Sequence, residues 1–155
     1  FMVDEHYQIK QKTSQYYAAQ ILIQEWSQPV DASHKLFTAT ADVKDSEGNV
    51  LVTAYPLQRP DGQWSLMLIN KDHDHAHSVR VQFNGEGKPA FFAVTVDLIT
   101  FGKNQYQWHA NRKKGYADPN NPPAKSKVNA SETTMYELPA ASLTILRGRL
   151  RSADN

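Results

Sequence analysis

From Lys35 onward the chain is cut into short runs rich in β-branched and aromatic residues, and turn signals separate them. This punctuation constrains the fold more than any other feature. The runs cover residues 35–43, 50–55, 64–70, 78–83, 91–100, 105–109, 133–138 and 142–147. The turns include Ser46-Glu47-Gly48-Asn49, Arg59-Pro60-Asp61-Gly62, residues 71–77 and Asn84-Gly85-Glu86-Gly87. Turns about every 12 residues, with strands of about six, predict an antiparallel sandwich or barrel. Helix-length connections between the runs are absent, which argues against a parallel sheet. Residues 64–69 are apolar on both faces at their end, which predicts a central strand. Near the C-terminus, Pro139 cannot donate to a ladder and belongs at a strand entrance or edge. By alternation Leu143, Ile145 and Leu138 then face inward, and Ser142, Thr144 and Leu146 point the other way.

The N-terminal part reads differently. Thr13-Ser14 forms a helix N-cap, and residues 14–26 hold no Gly or Pro. Pro29 and Asp31 end the segment. Tyr16, Ala19, Ile23 and Trp26 fall on one face at three- and four-residue spacing, and Tyr17, Ile21 and Leu22 widen the apolar sector. A helix this apolar needs cover on more than one side. Residues 111–130 are polar, with Pro119, Pro122, Pro123 and four lysines, and read as a long loop between two late strands. The chain thus divides into an N-terminal helical segment, 1–30, and a β-sandwich, 31–155. The expected class is mainly β, an antiparallel β-sandwich preceded by one α-helix. A chain opening with Phe1 also reads as a fragment or a processed product.

Composition narrows the function classes. With 155 residues, 40% hydrophobic and 21% charged, the chain can bury a core. Its 17 Lys+Arg against 16 Asp+Glu give a net charge of +1, too little field to hold nucleic acid or an anionic membrane. Zero cysteines exclude a disulfide framework, a thiolate zinc site and a thiol nucleophile. No apolar run reaches the length of a membrane span, and Asp4, Glu5 and His6 interrupt any signal-peptide core.

Five features in order resemble a known family. They are the Tyr-rich helix closing on Gln24-Glu25-Trp26 before Pro29; Val52-Thr53-Ala54-Tyr55 before Arg59-Pro60-Asp61-Gly62-Gln63-Trp64; Ser65-Leu66-Met67-Leu68-Ile69-Asn70-Lys71-Asp72; Tyr106-Gln107-Trp108 with Ala117-Asp118-Pro119 and Pro122-Pro123 downstream; and Leu138-Pro139-Ala140-Ala141-Ser142-Leu143-Thr144-Ile145-Leu146-Arg147. Together they resemble the C-terminal β-sandwich of bacterial TIM-barrel glycoside hydrolases of the arabinofuranosidase and β-xylosidase type. The resemblance covers most of the chain. It implies that the segment before Trp26 corresponds to the last barrel helix and that the sandwich packs on the catalytic barrel. Because the family's two carboxylates sit on barrel strands, it implies no catalytic residue here and no cofactor. A secreted or periplasmic setting is implied with it.

Several constellations bear on chemistry. Asp4, Glu5, Glu25, Asp42, Asp97, Glu132 and Glu137 qualify as glycosidase carboxylates by type alone, and no spacing selects a pair. Asp97 lies in an apolar run, either on a strand's solvent face or as a buried polar anchor for a loop. His73, His75 and His77 would project to one side of an extended chain and hold zinc or nickel, with Asp72 or Asp74 as an outer partner; the alternative is a polar hairpin tip. Sugar rings present C–H faces that stack on aromatics while amides and carboxylates take the hydroxyls. Tyr106, Trp108 and Tyr116 could form such a platform, with Gln107, Asn111 or Asp118 nearby; the alternative is that the rings pack into the core or against a neighbour. Trp26 is the plug between helix and sheet.

Arg112-Lys113-Lys114 with Tyr116, Lys125 and Lys127, and Arg147, Arg149 and Arg151, are basic clusters. The near-zero net charge favours a solvated loop and a frayed tail over nucleic-acid binding. No Gly-x-Ser-x-Gly is present, and Asn84-Gly85-Glu86-Gly87-Lys88 is a turn with no following helix.

The expectation is a non-catalytic accessory domain of an enzyme acting on plant cell-wall polysaccharide. The alternative is an independent carbohydrate-binding module for xylan or β-glucan. A third class is self-association through helix 14–26, whose apolar side needs cover.

Overall fold

The computed structural model describes residues 2–29, 31–85, 87–111 and 115–152. In chain order the elements are β1 (Met2–Val3), β2 (Ile9–Gln11), α1 (Ser14–Ile21) continued by a π-helical turn (Leu22–Trp26), β3 (Lys35–Leu36), β4 (Val52–Gln58), β5 (Trp64–Asn70), β6 (His77–Arg80), β7 (Ala90–Phe101), β8 (Tyr106–His109), β9 (Tyr116–Asn120), β10 (Ala124–Ala130), β11 (Met135–Leu138) and β12 (Ser142–Ser152). The fold is mainly β with one helix, as expected. A six-stranded sheet in the order β10-β7-β12-β5-β4-β3 forms its centre, and β6 pairs with β11, β8 with β9 and β1 with β2. All these pairings are antiparallel.

Register explains the layering. Ile145 lies between Met67 on β5 and Ile99 on β7, and Leu146 lies between Leu66 and Leu98. Odd-numbered residues of these strands therefore share one face and even-numbered residues the other. On the even face Val52, Leu66, Leu68, Phe92, Val96 and Leu146 pack with Tyr136 and Leu138 of β11, and Val79 of β6 joins them. On the odd face Met67, Ile99, Phe101 and Ile145 pack with Tyr17 and Ile21 of α1, with Tyr16 and Trp26 alongside. The three middle strands are covered on both sides, and burial of each such Ile or Leu contributes about 1.5–3 kcal/mol. β5 is the central strand its apolar run predicts. Leu143 and Ile145 do share a face, but Leu138 packs on the opposite one with Leu146. Both faces of β12 are interior, so an inward and an outward side cannot be told from alternation alone.

The helix starts where expected. Thr13 is extended and its Oγ1 accepts from the Tyr16 N–H at 3.4 Å. It ends in a π-turn: the Ser27 N–H bonds to the Leu22 carbonyl, Ser27 Oγ donates to the same oxygen at 2.8 Å, and Gln28 Nε2 donates to Ile23 O at 2.6 Å. The buried stripe is Tyr17, Ile21 and Glu25, whereas Ala19 and Ile23 are exposed. Four-residue steps drift about 40° each around an α-helix. The wider π-turn brings Glu25 back beneath the segment, and this moves the seam away from the Tyr16–Ala19–Ile23–Trp26 face. Trp26 does plug helix to sheet, since it packs at the odd-face core and its Nε1 donates to Tyr55 O at 3.2 Å.

Three further expectations change. Residues 111–130 are no plain loop, because β9 and β10 occupy 116–120 and 124–130. β10 pairs along β7 for seven residues, from Ala124↔Thr100 to Ala130↔Val94. An edge strand exposed on both faces carries no apolar alternation, so its sequence reads as loop. The run predicted over 35–43 pairs with β4 only at Lys35 and Leu36, after which Phe37 packs on Trp64 with ring centroids 4.9 Å apart. The predicted frayed tail is strand: Arg149 and Arg151 pair with Ala93 and Phe91 on β7. Phe1, Val30 and Arg112-Lys113-Lys114 lie outside the described residues. No helix among the described residues is long and apolar enough to cross a membrane.

Candidate functional site

The β8–β9 hairpin carries the predicted sugar platform and divides it. Trp108 is paired with Ala117 and His109 with Tyr116. Opposed residues share a face and neighbours alternate, so Trp108 and Tyr116 lie on opposite sides of the ribbon. The Tyr116 ring stacks on His109 with centroids 5.1 Å apart and 23° between planes, and His109 Nε2 donates to the Asp118 carbonyl at 2.9 Å. The Trp108 ring lies over Gly115, where a Cβ would stand 2.3 Å from its Cζ2. Tyr106 turns inward, with its ring 6.1 Å from Phe101 and 6.2 Å from Tyr17. Burial and Tyr17 push its hydroxyl pKa up, against a hydrogen bond from the Ser14 backbone. Gln107, Asn111 and Asp118 are exposed. The three rings do not form one surface: Trp108 and Tyr116 remain accessible at 44% and 50%, on opposite faces.

The histidines of the 71–77 tip separate as well. Asp72 Oδ1 accepts from the N–H groups of Asp74 (3.0 Å) and His75 (3.1 Å). His77 Nε2 lies 3.0 Å from Asp72 Oδ2 and His75 Nδ1 lies 3.3 Å from it. The Asp74 N–H foremost, then the His75 N–H and the two imidazoles, hold the Asp72 carboxyl well below the ordinary range despite partial desolvation. His73 stands apart, and its carbonyl accepts from Lys103 Nζ at 3.3 Å. Among the described residues no group of three or more His, Asp or Glu is arranged to hold a metal ion. Buried Asn70 braces the tip, donating from Nδ2 to the carbonyls of His75, Leu138 and Pro139 and accepting the Asp72 N–H at Oδ1.

Buried Glu25 and half-buried Asp97 are committed to cations. Glu25, 7% exposed, meets Arg147 Nη1 at 3.2 Å and also pairs with Lys125. Asp97 meets Arg147 Nη2 at 2.9 Å and Lys127 at 3.6 Å. Asp97 is neither on a bare solvent face nor a buried loop anchor: its side chain is half-buried and pairs with Arg147 and Lys127 of the two neighbouring strands. Asp4 closes the β1–β2 turn by accepting from the N–H groups of His6 and Gln8.

The sequence gives no signal for a groove of about 520 Å³ beside the start of α1. Ile69, Phe101 and Leu143 line its floor, from the ends of three neighbouring strands, and Lys71, His73 and Lys103 stand at its rim. It is assembled from residues up to about 130 positions apart, so no local motif encodes it.

No protein-family model matches the chain, and no curated protein matches it. Solved structures do. A GH51 α-L-arabinofuranosidase from Thermotoga petrophila is 10% identical with a TM-score of 0.42, over 64% of this chain and 19% of its own. A GH30 endoxylanase from Clostridium papyrosolvens is 19% identical with a TM-score of 0.44, over 75% of this chain and 23% of its own. A Paenibacillus polymyxa xyloglucanase of GH family 44 is 14% identical with a TM-score of 0.42, over 66% and 17%. The chain spans about a fifth of the length of these structures. At these scores the likeness carries no argument about function.

Proposed function

We propose that this chain is a non-catalytic accessory domain of a glycoside hydrolase acting on plant cell-wall polysaccharide, in a secreted or periplasmic setting. It packs on a catalytic barrel through the outer side of α1. The observation that carries the reading is the two-sided helix. Tyr17, Ile21 and Glu25 bind it to the sheet, while Ala19, Leu22 and Ile23 stay exposed on its far side. A helix fixed by one face with apolar residues on the other has the form of a shared element between two layers. The ion pairs of Glu25 and Asp97 with Arg147 also fit a structural role for these two carboxylates, since a glycosidase needs two free to reach one sugar bond.

The test has two arms. The reading frame that contains the chain should encode a barrel immediately upstream, and the purified 155-residue chain should release no sugar from arabinoxylan, xyloglucan or β-glucan. Cleavage that disappears in Glu25→Gln or Asp97→Asn, or a reading frame with no barrel, overturns the proposal.

A second reading is an independent module for neutral glycan, favoured by the exposed Trp108 ring lying over Gly115. Affinity electrophoresis in xylan or β-glucan gels tests it: retardation lost in Trp108→Ala supports it, and no retardation removes it. Neither reading involves nucleic acid or a membrane.

A further inference from the structure

The groove beside α1 combines three chemical features. Its floor of Ile69, Phe101 and Leu143 is apolar. Its rim carries Lys71, Lys103 and His73, all exposed. None of its lining residues is Asp or Glu. Among the described residues no salt bridge involves Lys71, Lys103 or His73. The two carboxylates in this stretch of chain, Asp72 and Asp74, do not line the groove, and Asp72 accepts from His75, His77 and backbone N–H groups. Positive charge at the rim is therefore not neutralised from within the groove, and at about 520 Å³ the space falls in the size range of small-ligand sites.

We propose that this groove binds a uronic-acid unit of an acidic polysaccharide, with the C–H face of the ring on the apolar floor and the carboxylate toward Lys71 and Lys103. Such a unit offers an apolar ring face, hydroxyls and one negative charge together. The hydroxyls meet the polar side chains of Ser14 and Gln15 at the helix start, which also line the groove. Lys103 Nζ already donates to the His73 carbonyl, but a neutral pyranose would leave both ammonium groups without a counter-charge, and a simple anion would leave the floor uncovered. The sugar class rests on the accessory-domain reading; the anionic preference rests on the groove alone.

Affinity electrophoresis of the 155-residue chain at low ionic strength tests it, with polygalacturonate, glucuronoxylan and neutral β-glucan as probes. Retardation is expected with the two acidic polymers and not with β-glucan, and it weakens as salt rises. Lys71→Gln/Lys103→Gln should weaken it about tenfold. Lys44→Gln/Lys88→Gln removes the same charge from exposed residues outside the groove and should leave it unchanged. Equal loss in both double variants would mean that net charge alone is sensed, and it overturns the site. So does retardation by β-glucan equal to that by the acidic polymers, or none by any probe. Neither arm of the accessory-domain test reads the groove: loss of acidic binding leaves the barrel and inactivity results standing, and a missing barrel leaves the charge preference standing.

Discussion

Arg147 Nη1 lies 3.2 Å from Glu25 Oε2 and 3.3 Å from the Glu25 carbonyl, so one guanidinium on β12 holds the π-turn down on the sheet. Its Nη2 holds Asp97 of β7 at 2.9 Å. The three charges sit at the seam between helix and sheet, with Arg147 only 20% and Glu25 only 10% exposed at the side chain.

Removing Arg147 leaves Glu25 with Lys125 and Asp97 with Lys127 as their remaining cations. Arg147→Met is expected to lower the unfolding free energy by about 1–3 kcal/mol, because the exposed Lys125 and Lys127 that remain beside Glu25 and Asp97 replace the guanidinium only in part. Glu25→Gln/Arg147→Met should cost less than the two single changes added together. A double-mutant cycle by urea denaturation measures this. Strict additivity would show that the pair is not coupled.

The tip at Asp72 predicts an acid limb. Its carboxyl is held below the ordinary value chiefly by the Asp74 N–H, so the native state favours the ionised form. A depressed folded value contributes stability that is complete above the unfolded value of about 4 and is lost as pH falls below it. Asp72→Asn should lower stability at pH 7 and flatten the decline below pH 4. Denaturation curves between about pH 2 and pH 7 check this. An unchanged acid limb in the variant refutes it.

Much of this architecture is legible in the sequence where one periodicity dominates. β5, β7 and β12 announce themselves through apolar runs, and the Thr13 cap is visible because its chemistry is local. β10 is illegible because pairing with β7 and the Lys127–Asp97 bridge, not its own hydrophobicity, place it. The helix seam is misread because the chain offers two apolar stripes, and the choice between them depends on the π-turn and on Arg147, 122 residues beyond Glu25. The groove is illegible for the same reason: its rim and floor meet only once the strand ends converge. The aromatic platform fails because the register of β9 against β8 shifts between Tyr106 and Trp108, a feature set by pairing.

The close fit of Trp108 on Gly115 gives a local prediction. A Cβ at Gly115 would stand 2.3 Å from Trp108 Cζ2, so Gly115→Ala must displace the ring. The ring is 44% exposed and can swing into solvent, so the stability cost should stay near about 1 kcal/mol. Tryptophan emission should shift to the red, and the shift should be absent when Gly115→Ala is made in a Trp108→Phe background. A stability loss several-fold larger, without an emission change, would mean that the hairpin backbone yields instead of the ring.

The outer side of the helix gives the last. Ile23 is 55% and Leu22 36% exposed, on the side of the π-turn away from the sheet. With no barrel present, this apolar strip is expected to close against a second copy of the chain, since burying about 400 Å² or more of apolar surface outweighs leaving it wet. Ile23→Asp touches no interior contact and should change monomer stability by no more than about 0.5 kcal/mol, while abolishing association. Sedimentation velocity over a concentration series distinguishes the cases. Association in the parent chain that disappears in the variant ties it to this strip. A parent chain that stays monomeric at millimolar concentration shows that the strip does not pair with itself, and association unchanged in the variant places the contact elsewhere on the surface.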